Sequence, residues 1–533
     1  MRNKNKYASA AMVAVGLLAL PIGVARADEV SDLKAEARTL QQQNDALAKR
    51  LAAIEKRQKA IETDTSATQR IMNAHAADLP MPYKAAAAAP VDDALCWHRV
   101  CLYGIVDAGF GWQSHGQPFN GAFPTGSQYL VSAGSNRSMW TAAPNAMSQS
   151  TIGLKGAYAV LPDLDAIFKL ETGFDPMSGQ LANGEGSMVQ NNGVPLNLRS
   201  ANGDSSRNGQ ALNGQAYVGV QSPVWGTLTI GRNNGLPLDQ ILAYDPMGGS
   251  YAFSPIGFSG TFVGGGSTED GRLDQSIKYT WNYGLLHGGA LYQVGNYGSG
   301  GATDWVHDDL QGNLGLIYQG FSIDGTAAKI RGMVSASPLA PSPANIGLTG
   351  LAGTISDNIE WMITAKYKWD RFEVMAGYEY IDFANPANPV PVGFDNNYGY
   401  QFTTVSNTAF PNDKILQMMW VGGKWKATDH LTLIAAYYHE TQNSFGIGAS
   451  TGCNTALFST CSGTLDAVSF VADYVFNKHF DVYAGVEYSQ VSNGLANGYV
   501  QTSILSATGA VLGNNGKSTA SNIDPTLGAR YSF

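Results

Sequence analysis

From Tyr103 to the last residue, apolar and polar side chains alternate in segments of about ten residues, and the connections between segments are short and long in turn. A period of two marks strands with two unlike faces. YGIVDAGFGW is followed by a long polar stretch, after which STIGLKGAYAV and LDAIFKLETGF are separated by only a few residues around Pro162. Another long segment precedes NGQAYVGVQS and GTLTIGR, which the tight PVWG joins. The pairing recurs in RLDQSIKYTW with LLHGGALYQVG, LQGNLGLIYQ with FSIDGTAAKI, and NIEWMITAKYKW with FEVMAGYEYI. KILQMMWVGGKW with LTLIAAYYHET, TLDAVSFVADYVF with FDVYAGVEYSQ, and the terminal DPTLGARYSF complete sixteen.

An even number of antiparallel strands, with every long connection at one end, predicts an all-β transmembrane barrel. Soluble sandwiches use shorter strands and do not reserve one edge for long loops. In LDAIFKLETGF the side chains of Ala166, Phe168, Leu170 and Thr172 share one face, and Lys169 and Glu171 share the other. Sixteen strands enclose too wide a space for side chains to fill, so the interior is expected to be wet and the apolar face to meet lipid. The 62 glycines and a charged fraction of only 14% agree with turns and a membrane-facing surface. Phe533, Tyr531, Ala529 and Leu527 alternate with Ser532, Arg530 and Gly528, so the tail reads as the closing strand, with Tyr531 and Phe533 in a lipid-facing aromatic girdle.

The N-terminus begins with basic MRNKNK, an apolar stretch, and small Ala25 and Ala27 about Arg26, which predicts a secretory signal peptide over residues 1–27. Cleavage removes four of the 33 basic residues, leaving 29 against 42 acidic ones and a formal charge of −13. That balance argues against a nucleic-acid partner. From Val30 the apolar residues take heptad spacing, with Leu33, Leu40, Leu47, Ile54 and Ile61 on one seam position and Val30, Ala37, Asn44, Leu51 and Gln58 on the other. A coiled coil over 28–78 is expected, and because it cannot bury that seam alone, it implies self-association. Residues 79–100, rich in Ala and Pro, read as a linker, and 101–533 as the barrel.

Four cysteines form two local pairs, Cys96 with Cys101 and Cys453 with Cys461. An exported chain meets an oxidising compartment, so two short-loop disulfides are expected, in preference to a metal site at Cys96, His98 and Cys101 that would lack a fourth ligand. No Walker loop, HExxH, nucleophile elbow or dinucleotide fingerprint occurs, and neither enzymatic activity, a metal nor a cofactor is expected.

LYGIVDAGFG at 102–111, STIGLKGAYAVLPDLDAIFKLETGF at 150–174, QAYVGVQSPVWGTLTIGRNNG at 215–235, LDQSIKYTW at 273–281 and the terminal ARYSF resemble the general, trimeric porins of Gram-negative outer membranes. The coiled-coil head departs from the usual member. The resemblance implies three barrels side by side in the outer membrane, in contact with lipid and lipopolysaccharide. It also implies a third loop, about Asn233 to Gly271, folded inward to narrow each pore. In that loop Asp239 and Asp245 resemble the family's acidic constriction residues, with Asp245 the better candidate for the eyelet. Alternation places Lys155, Lys169, Arg272 and Lys278 on lumen-facing positions beside outward Leu154, Phe168, Leu273 and Ile277, with Glu171 on the same face as Lys169. Acids on a loop opposite these bases would set a transverse field across a narrow wet gap. Arg232 follows outward Leu228 and Ile230, so a subunit interface is expected there. Tyr531 and Phe533 are further read as the assembly signal for a barrel-assembly machinery.

These expectations amount to a channel for passive diffusion of small hydrophilic solutes and ions. The alternatives are a selective channel, for example for small carboxylates along the basic wall, and an anchor whose periplasmic coiled coil grips peptidoglycan.

Overall fold

The computed structural model describes residues 41, 95–116, 129, 137–179, 181, 211–256, 272–294, 307–331, 358–383, 412–444, 462–493, 503–505, 511–514 and 519–533. The signal peptide, the coiled-coil seam and the Cys453 and Cys461 pair lie outside these residues.

Sixteen long strands make the wall: β1 (Val100–Gln113), β2 (Ser150–Leu161), β3 (Leu164–Phe174), β4 (Ala216–Ser222), β5 (Gly226–Asn234), β6 (Arg272–Tyr283), β7 (Leu286–Gln293) and β8 (His307–Tyr318). They continue as β9 (Phe321–Arg331), β10 (Asn358–Trp369), β11 (Phe372–Phe383), β12 (Lys414–Lys426), β13 (Leu431–Gln442), β14 (Gly463–Asn477), β15 (Phe480–Asn493) and β16 (Thr519–Ser532). Each pairs antiparallel with its sequence neighbours, and β16 pairs with β1 through Val106 opposite Tyr531 and Ala108 opposite Ala529, which closes the ring. Closure leaves no row of unpaired backbone groups in hydrocarbon. The last residue takes part, because Phe533 and Gly104 exchange both backbone hydrogen bonds at 3.0 Å. Gly104 is required there: a Cβ would stand 2.5 Å from the Phe533 ring and 2.8 Å from the Thr151 carbonyl oxygen.

The outer face is apolar as the alternation demands. Leu154, Ile230, Val374, Val468, Leu527 and Tyr531 are exposed, and Glu171, Glu379 and Arg530 are buried on the inner side. Around the short-turn end, Tyr367, Trp369, Phe372 and Trp425 stack with successive ring centroids 5.3, 5.5 and 5.9 Å apart. The girdle resumes with Tyr474, Phe476 and Phe480 and reaches His479, Tyr531 and Phe533. Interfacial rings with one wet edge favour this level of a bilayer.

Below β1, the short strand Leu95–Trp97 doubles back on Val100–Leu102, with Cys96 directly opposite Cys101 and the two joined by a disulfide. Its two-residue turn has φ of 47° at His98 and 71° at Arg99, the left-handed pair that a tight hairpin turn needs. Above, the outer half of β1 pairs with a second short strand, Met139–Pro144, rather than with β2.

Candidate channel constriction

The third loop carries one described helix, α1 (Leu236–Tyr244), which opens at Gly235 with proline in its first turn. Proline there removes only a backbone donor that has no helical partner, so it starts a helix without weakening it. The amide of Leu236 donates to Gln311 Oε1 on β8 at 2.7 Å. One turn on, Gln240 Nε2 donates to the Asp324 carbonyl oxygen at 3.0 Å and to Thr364 Oγ1 at 2.9 Å, and Thr326 Oγ1 donates back to Gln240. Tyr244 Oη donates to Asp324, whose other carboxylate oxygen lies 2.5 Å from His287 Nε2 on β7. At the C-terminal end, where helix carbonyls lack partners, Lys366 Nζ donates to Ala243 O at 3.1 Å and Trp420 Nε1 to Tyr244 O at 3.0 Å. These partners are spread over β7 to β12, so the loop lies against the inner wall.

Beyond α1, Asp245 is 0% exposed. Its carboxylate accepts from Tyr438 Oη at 2.5 Å and from the amides of Met247 at 3.1 Å and Gly249 at 2.7 Å. Burial pushes its carboxyl above the ordinary value, and the Tyr438 and amide hydrogen bonds oppose that rise. Asp245 therefore shapes the turn after the helix and does not stand in open channel water. Tyr251 Oη then donates to Gln149 Oε1 at 2.7 Å, and the Phe253 ring lies 6.3 Å from that of Tyr483, edge to face. The loop's Ile241, Met247, Phe253 and Ile256 join Trp420, Ile434, Leu465 and Val471 of the wall in one buried cluster.

That cluster is the main feature the strand alternation did not announce. A wet interior was expected throughout, yet β12 to β15 carry apolar side chains inward because the loop covers them there. The available signal was the apolar residues on both faces of KILQMMWVGGKW and LTLIAAYYHET: Met419 and Val421 face out while Leu416, Met418 and Trp420 are buried.

The predicted acids and bases separate into two groups. Asp239 is in ion-pair contact with Lys278, whose Nζ also donates to Asn234 O at 2.9 Å, and Asn234 Nδ2 donates to Asp239 Oδ1 at 3.0 Å. No gap divides this acid from its base, so the pair fastens the root of the loop to β6. The second group stands on β2 and β3. Lys169 Nζ lies 3.1 Å from Glu171 Oε2, which also accepts from Tyr103 Oη at 2.8 Å. Lys155 and Lys169 sit directly opposite each other, with their ammonium groups 5.2 and 5.7 Å from the Tyr103 ring centroid. Arg272 interacts electrostatically with Glu171 and with Tyr251 of the loop. Its neighbour Leu273 does not face out: it is buried against Leu236 and Leu291. The reason lies in Gln275, whose φ of 52° breaks the strand's regular alternation next to the shift in pairing with β5.

Arg232 is 5% exposed and donates to the carbonyl oxygens of Asn213 and Gly214, with Nε at 3.2 and 3.0 Å and Nη2 to Asn213 at 2.9 Å. Its charge is thus solvated within its own chain.

Residues 81–494 match the family described as Gram-negative porin. The chain belongs to that family. This porin is 27% identical over 180 residues to an outer membrane porin protein of Bordetella pertussis, and the match covers 34% of this chain and 38% of the relative, well under two thirds of that protein's length. In fold it is similar to an anion-selective porin from Comamonas acidovorans, at 15% identity and a TM-score of 0.51, over 81% of this porin and 99% of that chain. OmpT, an outer membrane protein of Vibrio cholerae, aligns over 83% of this porin and all of that chain at 14% identity and a TM-score of 0.46.

Proposed function

We propose that this porin forms a water-filled channel for passive diffusion of small hydrophilic solutes and ions across the outer membrane. The observation that carries the reading is a closed sixteen-stranded ring whose third loop is tethered to the inner wall. In this reading α1 and the turn after it narrow the lumen. Asp239, Lys278 and Asp245 hold that obstruction in place, and Lys155, Lys169 and Arg272 stand on the wall that passing solutes meet.

The functional unit is a trimer in this account. Supporting it is an outward apolar groove of about 600 Å³, floored by Gly156 and Gly219 and walled by Tyr158, Phe168, Val218 and Ile230, which a neighbouring copy could fill. A periplasmic coiled coil along the heptad seam from Leu33 to Ile61 would supply a second means of self-association.

Planar-bilayer recording of the purified protein tests the reading. Conductance steps in groups of three are expected, and a folded protein that conducts nothing would leave the barrel as an anchor.

A further inference from the structure

At the short-turn end, which faces the periplasm in barrels of this kind, the lipid-facing surface is not smooth. The groove of about 600 Å³ crosses the outer face of β1 to β5 there, beside the N-terminal hairpin. That volume falls in the ~300–1,000 Å³ range of small-molecule sites. Tyr158, Phe168, Val218 and Ile230 wall it, and the hairpin turn at His98 and Arg99 completes its rim. Among the described residues that line it none is acidic, and His98 and Arg99 are the basic ones. Arg99 is held in place by its own chain. The Cys96–Cys101 disulfide closes the hairpin whose left-handed turn it occupies, and its guanidinium lies 5.0 Å from the Tyr158 ring centroid. Its carbonyl oxygen sits so close to Gly156 that a Cβ there would come within 2.9 Å. Trp97, 75% exposed and with its ring centroid 4.3 Å from that of His98, pairs with Val100 and brings a further aromatic side chain to this level.

We propose that this groove binds an anionic glycerophospholipid of the periplasmic leaflet, with one acyl tail between Tyr158, Phe168, Val218 and Ile230 and the phosphate on Arg99. Bulk lipid fills any hollow in a membrane face, so a tail alone gives no selectivity. A cation fixed at headgroup depth does. A guanidinium offers planar N–H donors that match phosphate oxygens, and it does so while its face rests on an aromatic ring. Trp97 and Tyr158 are amphipathic rings of the kind that sit at the membrane–water interface. Within the membrane, association is driven by van der Waals fit, and the glycine floor at Gly156 and Gly219 lets a tail approach the strand backbone closely. The inference goes beyond the channel reading and does not need the trimer. A neighbouring copy would close over the seated tail, whereas a single barrel would leave it facing the bilayer.

The test is native mass spectrometry of the purified full chain, stripped of lipid in detergent and then titrated with phosphatidylglycerol or phosphatidylcholine. Migration of unheated and heated samples in a denaturing gel confirms that each variant is a folded barrel. The wild type is expected to retain one phosphatidylglycerol per barrel and to prefer it over phosphatidylcholine. Arg99→Gln lowers that preference about fivefold, the share of one basic residue at an anionic surface, and Arg99→Lys keeps most of it. Val218 is 63% exposed, so Val218→Trp fills the groove from an outward position without touching the charge, and it abolishes retention. Val468→Trp, at an outward position of β14 outside the groove, leaves retention unchanged. A wild type that retains no lipid, or a folded Val218→Trp barrel that retains it as the wild type does, would overturn the site and leave the channel and the trimer standing. Trimers that exclude lipid and that Val218→Trp dissociates would show the groove filled by the neighbouring copy, which also overturns the site. Retention of one lipid by a protein that is a single barrel would support the site and remove the trimer.

Discussion

Trp420 is buried on a strand face that simple alternation assigns to water. Its indole donates to the Tyr244 carbonyl, and its ring lies over Gly377, where a Cβ would come within 2.0 Å of it. The first contact holds the third loop, and the second seats the ring on its cross-strand neighbour. Replacing Trp420 by alanine is predicted to weaken the loop's attachment by about 3–5 kcal/mol, the usual cost of removing so large a buried side chain. The barrel itself should survive. A larger and noisier single-channel conductance, with unchanged migration of the unheated protein, is the expected result. Asp245 adds a pH dependence. Because burial raises its carboxyl in the folded loop, the folded chain holds that proton more tightly than the unfolded one. Its contribution is therefore greatest below the ordinary carboxylate value of about 4 and declines as pH climbs through the raised value. The melting temperature of the wild type relative to Asp245→Asn should accordingly fall with rising pH over that window, and a flat difference would contradict the assignment.

The strands were legible because each carries its own evidence: every segment alternates, and the short and long connections identify its neighbours. What alternation could not supply was the effect of a covering element on the face beneath it. Met418 and Trp420 point inward because the loop packs there, and that contact joins residues far apart in sequence. A local irregularity was equally hidden, since Leu273 reads as outward until the turn of backbone at Gln275 is known. The loop helix left no mark in the sequence, for nine residues with proline near the start give little periodic signal. The closing strand, by contrast, was predicted from the tail alone. Its pairing with β1 ends on Phe533 and Gly104, and Gly104→Val is predicted to drive the Phe533 ring off the strand. A reduced yield of the heat-modifiable barrel form in reconstituted membranes would show it. The strand Leu95–Trp97, stapled to β1 by Cys96 and Cys101, takes no part in the closing pairing of β1 with β16, so reduction should leave that form intact, whereas its loss would show that the hairpin supports closure.

At the scale of the whole molecule, the reasoning depends on a reversed arrangement of polarity. In a soluble domain apolar side chains are gathered inside; here Leu154, Val374 and Leu527 lie on the surface and Lys169, Glu171 and Arg530 on the inner wall. Self-association belongs to this scale as well. The isolated segment 28–78 is predicted to sediment as a trimer matching three barrels, and a stable dimer would count against that stoichiometry. The polarity claim itself has a direct test in two adjacent residues of β2, because Leu154 is 40% exposed on the outer face and Lys155 faces the lumen beside Tyr103. Leu154→Cys and Lys155→Cys variants, reconstituted in lipid vesicles, are treated with a charged, membrane-impermeant thiol reagent. The account predicts rapid labelling at 155 through channel water and protection at 154 by lipid. Labelling at 154 with protection at 155 would contradict it.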